Sequence, residues 1–229
     1  MTKLSEKPQF NTTHPEFEAY ALSFTSPEEE LLVKLSRETH FVSTTPGMLS
    51  SHMQGLLLKM VSQMLKPDCI LEIGTFTGYS AICLAHGLRS GGVLHTIDNN
   101  PEVAHIADKY FIASGFEHQI VQHQGNALSI LPSLEGPFDL VFLDADKENY
   151  VSYYDAVFPK IRDGGILLAD NVLWYGKVMN PGAIVDKETR GITAFNLHVR
   201  NDSRVEHLLL PVRDGLMLVR KKNSSESDF

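Results

Sequence analysis

The sequence predicts an α/β fold: a mostly parallel, doubly wound sheet with helices on both faces, ending in a C-terminal antiparallel hairpin. Short apolar runs at residues 69–73, 93–97, 138–143 and 165–169, with a weaker run at 119–124, read as strands. Helical segments at 79–88, 101–114, 126–131 and 149–157 lie between them, and such alternation builds a parallel sheet. Two further runs, 205–212 and 215–220, are separated only by Arg213-Asp214. That spacing permits a hairpin and no crossover.

Ahead of the sheet, residues 1–25 are polar and aperiodic and read as an extended arm. Ser26, Pro27 and Glu29 then stand at the N-cap, first and third positions of a helix. Leu31, Leu32 and Leu35 continue it, and the Ser-Thr-Thr-Pro-Gly stretch at 43–47 ends it. A second helix over 49–65 places Leu56, Leu57, Met60, Val61 and Met64 on one apolar face. Asn100-Pro101 is a cap followed by a first-position proline. The chain reads as one domain over 1–229: an arm (1–25), N-terminal helices (26–66), the sheet (67–220) and a flexible polar tail (221–229).

Composition narrows the function. Among 229 residues, 20 Lys+Arg against 28 Asp+Glu give a net charge of −8, which argues against sequence-independent nucleic-acid binding. The two cysteines, Cys69 and Cys83, form no CxxC, so neither a disulfide scaffold nor a zinc site is indicated. No apolar run has the length of a membrane span or a signal-peptide core. The expected location is the cytoplasm, away from membranes. The ten histidines show no mutual spacing and read as structural or surface residues.

In open α/β sheets, ligands bind beyond the carboxyl ends of the strands. After the first strand come Glu72-Ile73-Gly74-Thr75-Phe76-Thr77-Gly78. The two glycines permit a tight turn and close backbone approach to a ligand. The spacing is neither GxGxxG nor a P-loop, which counts against a nicotinamide or flavin enzyme and a nucleotide triphosphatase. Glu72 would repel a pyrophosphate and suits a cationic amine. Asp98 ends the second strand about 20 residues further on, the place of a ribose-hydroxyl acceptor. Asp144 follows the fourth strand, and Asp170-Asn171 the fifth. Neighbouring strand ends would gather these three hard oxygen donors, a set suited to Mg²⁺ or Mn²⁺ rather than zinc. Asp146-Lys147 also reads as a surface pair opening the next helix.

Several linked blocks carry a resemblance: LEIGTFTGYS, HTIDNN, FDLVFLDADKENY, GGILLADNVLWYGKV and LPVRDGLMLVRKK. Together they resemble the metal-dependent class I O-methyltransferases that use S-adenosylmethionine, among them catechol and caffeoyl-CoA O-methyltransferases. Bacterial catechol-type members look most similar. The resemblance implies a Rossmann-like, seven-stranded class I methyltransferase fold. It also implies roles by position. Glu72, Gly74, Thr75, Gly78 and Ser80 would surround the methionine part of the cofactor, with Met48 in the region closing over it. Asp98 would take the ribose, while Asn126 and Ala127 flank the adenine. Asp144, Asp170 and Asn171 would hold Mg²⁺ (or Mn²⁺/Ca²⁺). Lys147 matches the general base, assisted by Asp144, and Trp174 the wall of the acceptor pocket, with Lys147 and Asn171 also touching the acceptor. Relatives of this kind often dimerise, so a homodimer formed partly by the N-terminal region is expected.

The leading expectation is methyl transfer to a small phenolic acceptor with adjacent hydroxyls. Alternatives are a hydroxylated tRNA uridine, which would use a basic mouth of Lys147, Lys177, Lys187, Arg190 and Arg213, or a caffeoyl-CoA-like ester, whose phosphates would want basic residues in the segment 177–190. A non-catalytic protein on the same fold is disfavoured by Asp144, Lys147, Asp170 and Asn171 standing together.

Overall fold

The structure, a computed structural model, describes residues 15–179 and 186–226. Its centre is a seven-stranded sheet of β1 (Cys69–Ile73), β2 (Val93–Asp98), β3 (Ile120–Gln124), β4 (Phe138–Leu143), β5 (Ile161–Asp170), β6 (Val205–Leu210) and β7 (Leu216–Lys221). The spatial order is β3-β2-β1-β4-β5-β7-β6. The first five strands are parallel; β7 runs antiparallel to both β5 and β6. Strand order reverses between β1 and β4, which opens a crevice at their carboxyl ends.

Alternate residues of the strands feed two cores. Ile70, Leu94, Leu140, Phe142 and Leu168 pack with α2 (Glu30–Val42), α3 (His52–Leu65), α4 (Tyr79–Ala85) and α5 (Pro101–Ser114). Leu71, Ile73, Val141, Leu143 and Leu167 pack on the opposite face with α6 (Ala127–Ile130), α7 (Tyr150–Val157) and α8 (Lys187–Asn201). A period of two in buried side chains makes the sheet apolar on both sides, as helix-covered parallel strands require.

The N-terminal region differs from the sequence expectation in three ways. Residues Pro15–Ser23 form a helix, α1, where an extended arm was expected; residues 1–14 lie outside the described set. α2 begins at Glu30 with no side-chain cap, not at Ser26-Pro27. The carboxylates ahead of it are engaged elsewhere: Tyr79 Oη donates to Glu28 Oε1 at 2.5 Å, and Glu29 pairs with Lys59 and with His86. Tertiary contacts thus override the local capping signal.

On α3 the buried residues are Gly55, Leu58 and Ser62, while Met60 and Met64 are exposed. The small residues face α4. A Cβ on Gly55 would lie 2.5 Å from the Tyr79 ring, and Ser62 Oγ donates to Leu84 O at 2.6 Å. Hydrophobic periodicity selects large residues and misses a seam built from small ones.

At the other end, β6 stops at Leu210, short of the expected 212, β7 keeps six residues but starts one position later, and the connection is correspondingly longer. Residues 222–226 are tied down rather than loose, with Lys222 N–H donating to Arg204 O at 2.9 Å and Ser224 Oγ to Asp163 at 2.9 Å. Residues 227–229 lie outside the described set. No helix among the described residues is long and apolar enough to cross a membrane.

Candidate active site

Parallel register sets the floor of the site. Ile73 pairs with Ile97 and with Leu143, and Leu143 pairs with Ala169. The next residues, Asp98, Gly74, Asp144 and Asp170, therefore stand in a row across four strand ends, at strand spacings of about 4.8 Å. Gly74 N–H donates to Ile97 O and Asp144 N–H to Ile73 O, each at 2.9 Å. Gly74 has φ +108°, and a Cβ there would lie 1.9 Å from the Asp144 carbonyl oxygen. Only glycine allows the turn to lie so close to β4.

Above this row is a cavity of about 780 Å³, within the range of small-molecule sites. Met48, Gly74, Thr75, Ser80, Asp98, Asn126, Ala127, Asp144, Lys147, Asp170, Asn171 and Trp174 all line it. Glu72 and Gly78 do not. Gly78 caps α4. Glu72 is fully buried behind the wall: Thr96 Oγ1 donates to its Oε2 at 2.5 Å, and the hydroxyls of Thr96 and Thr75 share a 2.5 Å hydrogen bond. Among the described residues, Glu72 Oε1 has no partner in good hydrogen-bond geometry, and the Ser80 side chain offsets only part of the burial. Burial pushes this carboxyl up to about 8, and the charges of Asp144 and Asp98 add to the rise.

Asp98 is fixed by backbone donors, Phe76 N–H to Oδ2 at 2.7 Å and Asn100 N–H to Oδ1 at 2.8 Å. A carboxylate held in this way keeps lone pairs for ligand hydroxyls. Asn126 caps α6 by accepting from Ser129 N–H, so the next turn begins at the cavity wall.

The centre of the site is polar and largely closed to solvent. Lys147 is 7% exposed. Its Nζ donates to Asp144 Oδ1 at 2.8 Å and to Tyr150 Oη at 2.7 Å. The reading of Lys147 and Asp146 as a surface pair is therefore corrected: Asp146 accepts from Tyr153 Oη at 2.5 Å and from Asn149. Tyr150 Oη donates in turn toward the backbone oxygen of Asp170 at 3.1 Å. Burial raises the Tyr150 phenol well above its ordinary value, so it stays neutral. Asp170 accepts from Gln54 Nε2 at 2.7 Å. Burial and the Asp144 charge both push the Asp170 carboxyl upward.

Two carboxylates that oppose each other's ionisation are the condition a divalent cation relieves. Among the described residues, no three His, Cys, Asp or Glu side chains gather as metal ligands. Asp144 and Asp170 would need the Asn171 amide oxygen to complete a protein donor set. All three are hard oxygen donors lining one cavity, and they fit Mg²⁺ better than zinc.

Three further lining residues escaped the sequence reading: Glu18 of α1, Gln54 of α3 and Asp214 of the hairpin turn; Arg213 beside it, expected at a basic mouth, lines the cavity as well. Tyr150, which holds Lys147, escaped too, although its spacing of three from Lys147 on a helical segment was a usable signal. Burial raises the Asp214 carboxyl, which accepts from Tyr175 N–H at 2.5 Å.

The strand order, with β7 antiparallel and a ligand cavity over the β1/β4 crevice, defines a class I methyltransferase fold. Comparison with known proteins gives the family within that class. The O-methyltransferase family model matches residues 22–222, and the chain belongs to this family. The catechol O-methyltransferase of Niastella koreensis is 34% identical over 169 residues, 72% of this chain and 76% of its own. A caffeoyl-CoA O-methyltransferase of Populus trichocarpa is 32% identical over 206 residues, 85% of this chain and 83% of its own. The O-methyltransferase TomG of Streptomyces achromogenes, solved in complex with SAM, matches with a TM-score of 0.84 at 31% identity, over 96% of this chain and 100% of that one.

Proposed function

We propose that this O-methyltransferase uses S-adenosylmethionine and a divalent cation, Mg²⁺ or else Mn²⁺ or Ca²⁺, to methylate one hydroxyl of a catechol-type small molecule. The observation that carries this reading is the position of Asp144. It adjoins the Gly74 turn on one side and Asp170 on the other, and it holds Lys147 at 2.8 Å. One carboxylate thus joins a cofactor half of the cavity to an acceptor half.

In the cofactor half, Gly74, Thr75 and Ser80 would border the methionine part, Asp98 would accept the ribose hydroxyls, and Asn126 and Ala127 would flank the base. Bound S-adenosylmethionine supplies an electrophilic sulfonium methyl. In the acceptor half, Asp144, Asp170 and Asn171 would hold the cation, whose Lewis acidity favours ionisation of a bound phenol. A free phenol has a pKa near 10, so a base is needed at neutral pH. Lys147 Nζ, steadied by Asp144 and Tyr150, would take the proton from the hydroxyl. Trp174 walls the acceptor. Holding both reactants in line contributes about 7–11 kcal/mol of the barrier reduction.

The lining charge favours a small neutral or cationic acceptor over a phosphate-bearing one. Eight acidic side chains line the cavity among the described residues, against Lys147 and Arg213. Lys177 is paired with Asp186 at 2.7 Å, and Lys187 lies 3.8 Å from Glu148. Of the five residues expected at a basic mouth, these two lysines are thus already partnered by carboxylates of this chain, which weighs toward the smaller acceptor.

Two variants test the assigned roles together. Asp170→Ala should abolish metal-dependent turnover yet leave S-adenosylmethionine affinity near wild type in calorimetry. Lys147→Met should lower kcat by about 10²–10⁴ while Mg²⁺ and cofactor still bind. Equal loss of cofactor binding in either variant contradicts the assignment. The exposed Phe41, Met60 and Met64 on α2 and α3 support a homodimer formed partly by the N-terminal region; a monomeric mass by light scattering removes that part of the proposal.

A further inference from the structure

The turn between β6 and β7 grips the segment that carries Asn171 and Trp174. Val172 N–H donates to Gly215 O at 3.1 Å, Leu173 N–H to Asp214 O at 2.8 Å, and Tyr175 N–H to Asp214 Oδ1 at 2.5 Å. The gripped segment has an unfavourable backbone. Asn171, Trp174 and Tyr175 have φ of 60°, 45° and 54°, left-handed values that L side chains avoid. Such a run persists only where its surroundings over-determine it.

The turn is shaped for close approach. Gly215 has φ +86°, and a Cβ there would lie 2.6 Å from Leu173 Cγ and 2.9 Å from Leu173 N. Two of the three bonds use turn carbonyls, which every residue possesses. The third is made by a side chain, Asp214 Oδ1, and the same carboxylate also interacts with the Asn171 side chain. Among the described residues, the other oxygen, Oδ2, is buried with no partner in good hydrogen-bond geometry; the Asn171 side chain offsets part of the burial of this carboxylate, which is costly to leave incompletely bonded.

We propose that Asp214 is a positioning residue for the acceptor half of the cavity. Its bond to Tyr175 N–H pins the left-handed turn and so sets where Asn171 and Trp174 stand. The role in acceptor binding rests on the methyl-transfer reading above; the role in holding the turn does not.

Trp174 is the sole tryptophan in the chain, so its fluorescence reports on this segment without any turnover. Asp214→Ala removes the acceptor atom, whereas Asp214→Asn keeps an Oδ1 acceptor and replaces the charged Oδ2 with an amide NH2. The expected result for Asp214→Ala is a red-shifted Trp174 emission, with acrylamide quenching increased roughly two-fold or more as the turn loosens. Asp214→Asn should match wild type in both. With a catechol acceptor, Asp214→Ala should raise acceptor KM about ten-fold, with a smaller change in kcat and unchanged cofactor affinity, and Asp214→Asn should restore it. Wild-type fluorescence in Asp214→Ala overturns the proposal. So does a loosened Trp174 in Asp214→Asn, and this second variant decides the matter if Asp214→Ala does not accumulate as folded protein. Absence of catechol turnover in the wild-type enzyme overturns the acceptor reading instead, while the fluorescence comparison still judges the brace.

Discussion

Four carboxylates stand close together at the carboxyl edge of the sheet, and each is offset by a different kind of donor. Asp98 accepts from two backbone N–H groups, Asp144 from Lys147 Nζ, Asp170 from the Gln54 amide and Glu72 from the Thr96 hydroxyl. Full burial outweighs the hydroxyls that face Glu72, and its carboxyl rises from 4.5 to about 8. Between those values the folded, cofactor-free protein holds a proton that the unfolded chain has lost. Its contribution to stability is therefore full below about pH 4.5 and declines as pH rises toward 8. Glu72→Gln keeps the acceptor for Thr96 and removes the titration. Relative to wild type, this variant should gain thermal stability progressively from pH 5 to pH 8, with about 1.4 kcal/mol per pH unit as the upper bound. Parallel melting profiles across that range contradict the account. Asp98, Asp144, Asp170 and Asn171 were legible in the sequence because each ends or adjoins an apolar run. Gln54 was not, because nothing local marks one amide on α3 as the partner of a carboxylate 116 residues away.

Among the elements, the strands were easier to read than the helices. Runs of five or six apolar residues, buried on both faces, leave an unmistakable pattern, and the residues at the carboxyl end of each run belong to the site. Helix starts and faces depend on partners. The capping signal at Ser26-Pro27 yields to Glu28 and Glu29 binding α3 and α4. The face of α3 is set by Gly55 and Ser62, which let it approach α4 closely. Ser62 sits within 2.1 Å of where a Cβ on Gly87 would lie, so the seam has no room for bulk. Ser62→Leu, which enlarges the apolar surface of α3, should destabilise the protein by about 1–3 kcal/mol through overpacking and loss of the bond to Leu84 O. Denaturant unfolding checks this, and a midpoint at or above wild type would show that the seam is not tight.

At the scale of the whole molecule, a chain of net charge −8 carries an acidic cavity over the strand-order reversal of its sheet. That charge suits a sulfonium, a divalent cation and a small phenol, and it disfavours polyanions. The fold class and most of the lining residues were legible because topology sends every strand-end residue to one edge. The acceptor half was less so. It is completed by Glu18, Gln54 and Asp214 from three elements distant in sequence, and only the tertiary fold brings them together. The most direct test of the central claim is transfer of a labelled methyl group from S-adenosylmethionine to a panel of catechols, with Mg²⁺ and with EDTA. Turnover with Mg²⁺ that disappears in EDTA is the expected result. Turnover that is unchanged in EDTA, or cofactor binding with no transfer to any catechol, would contradict it.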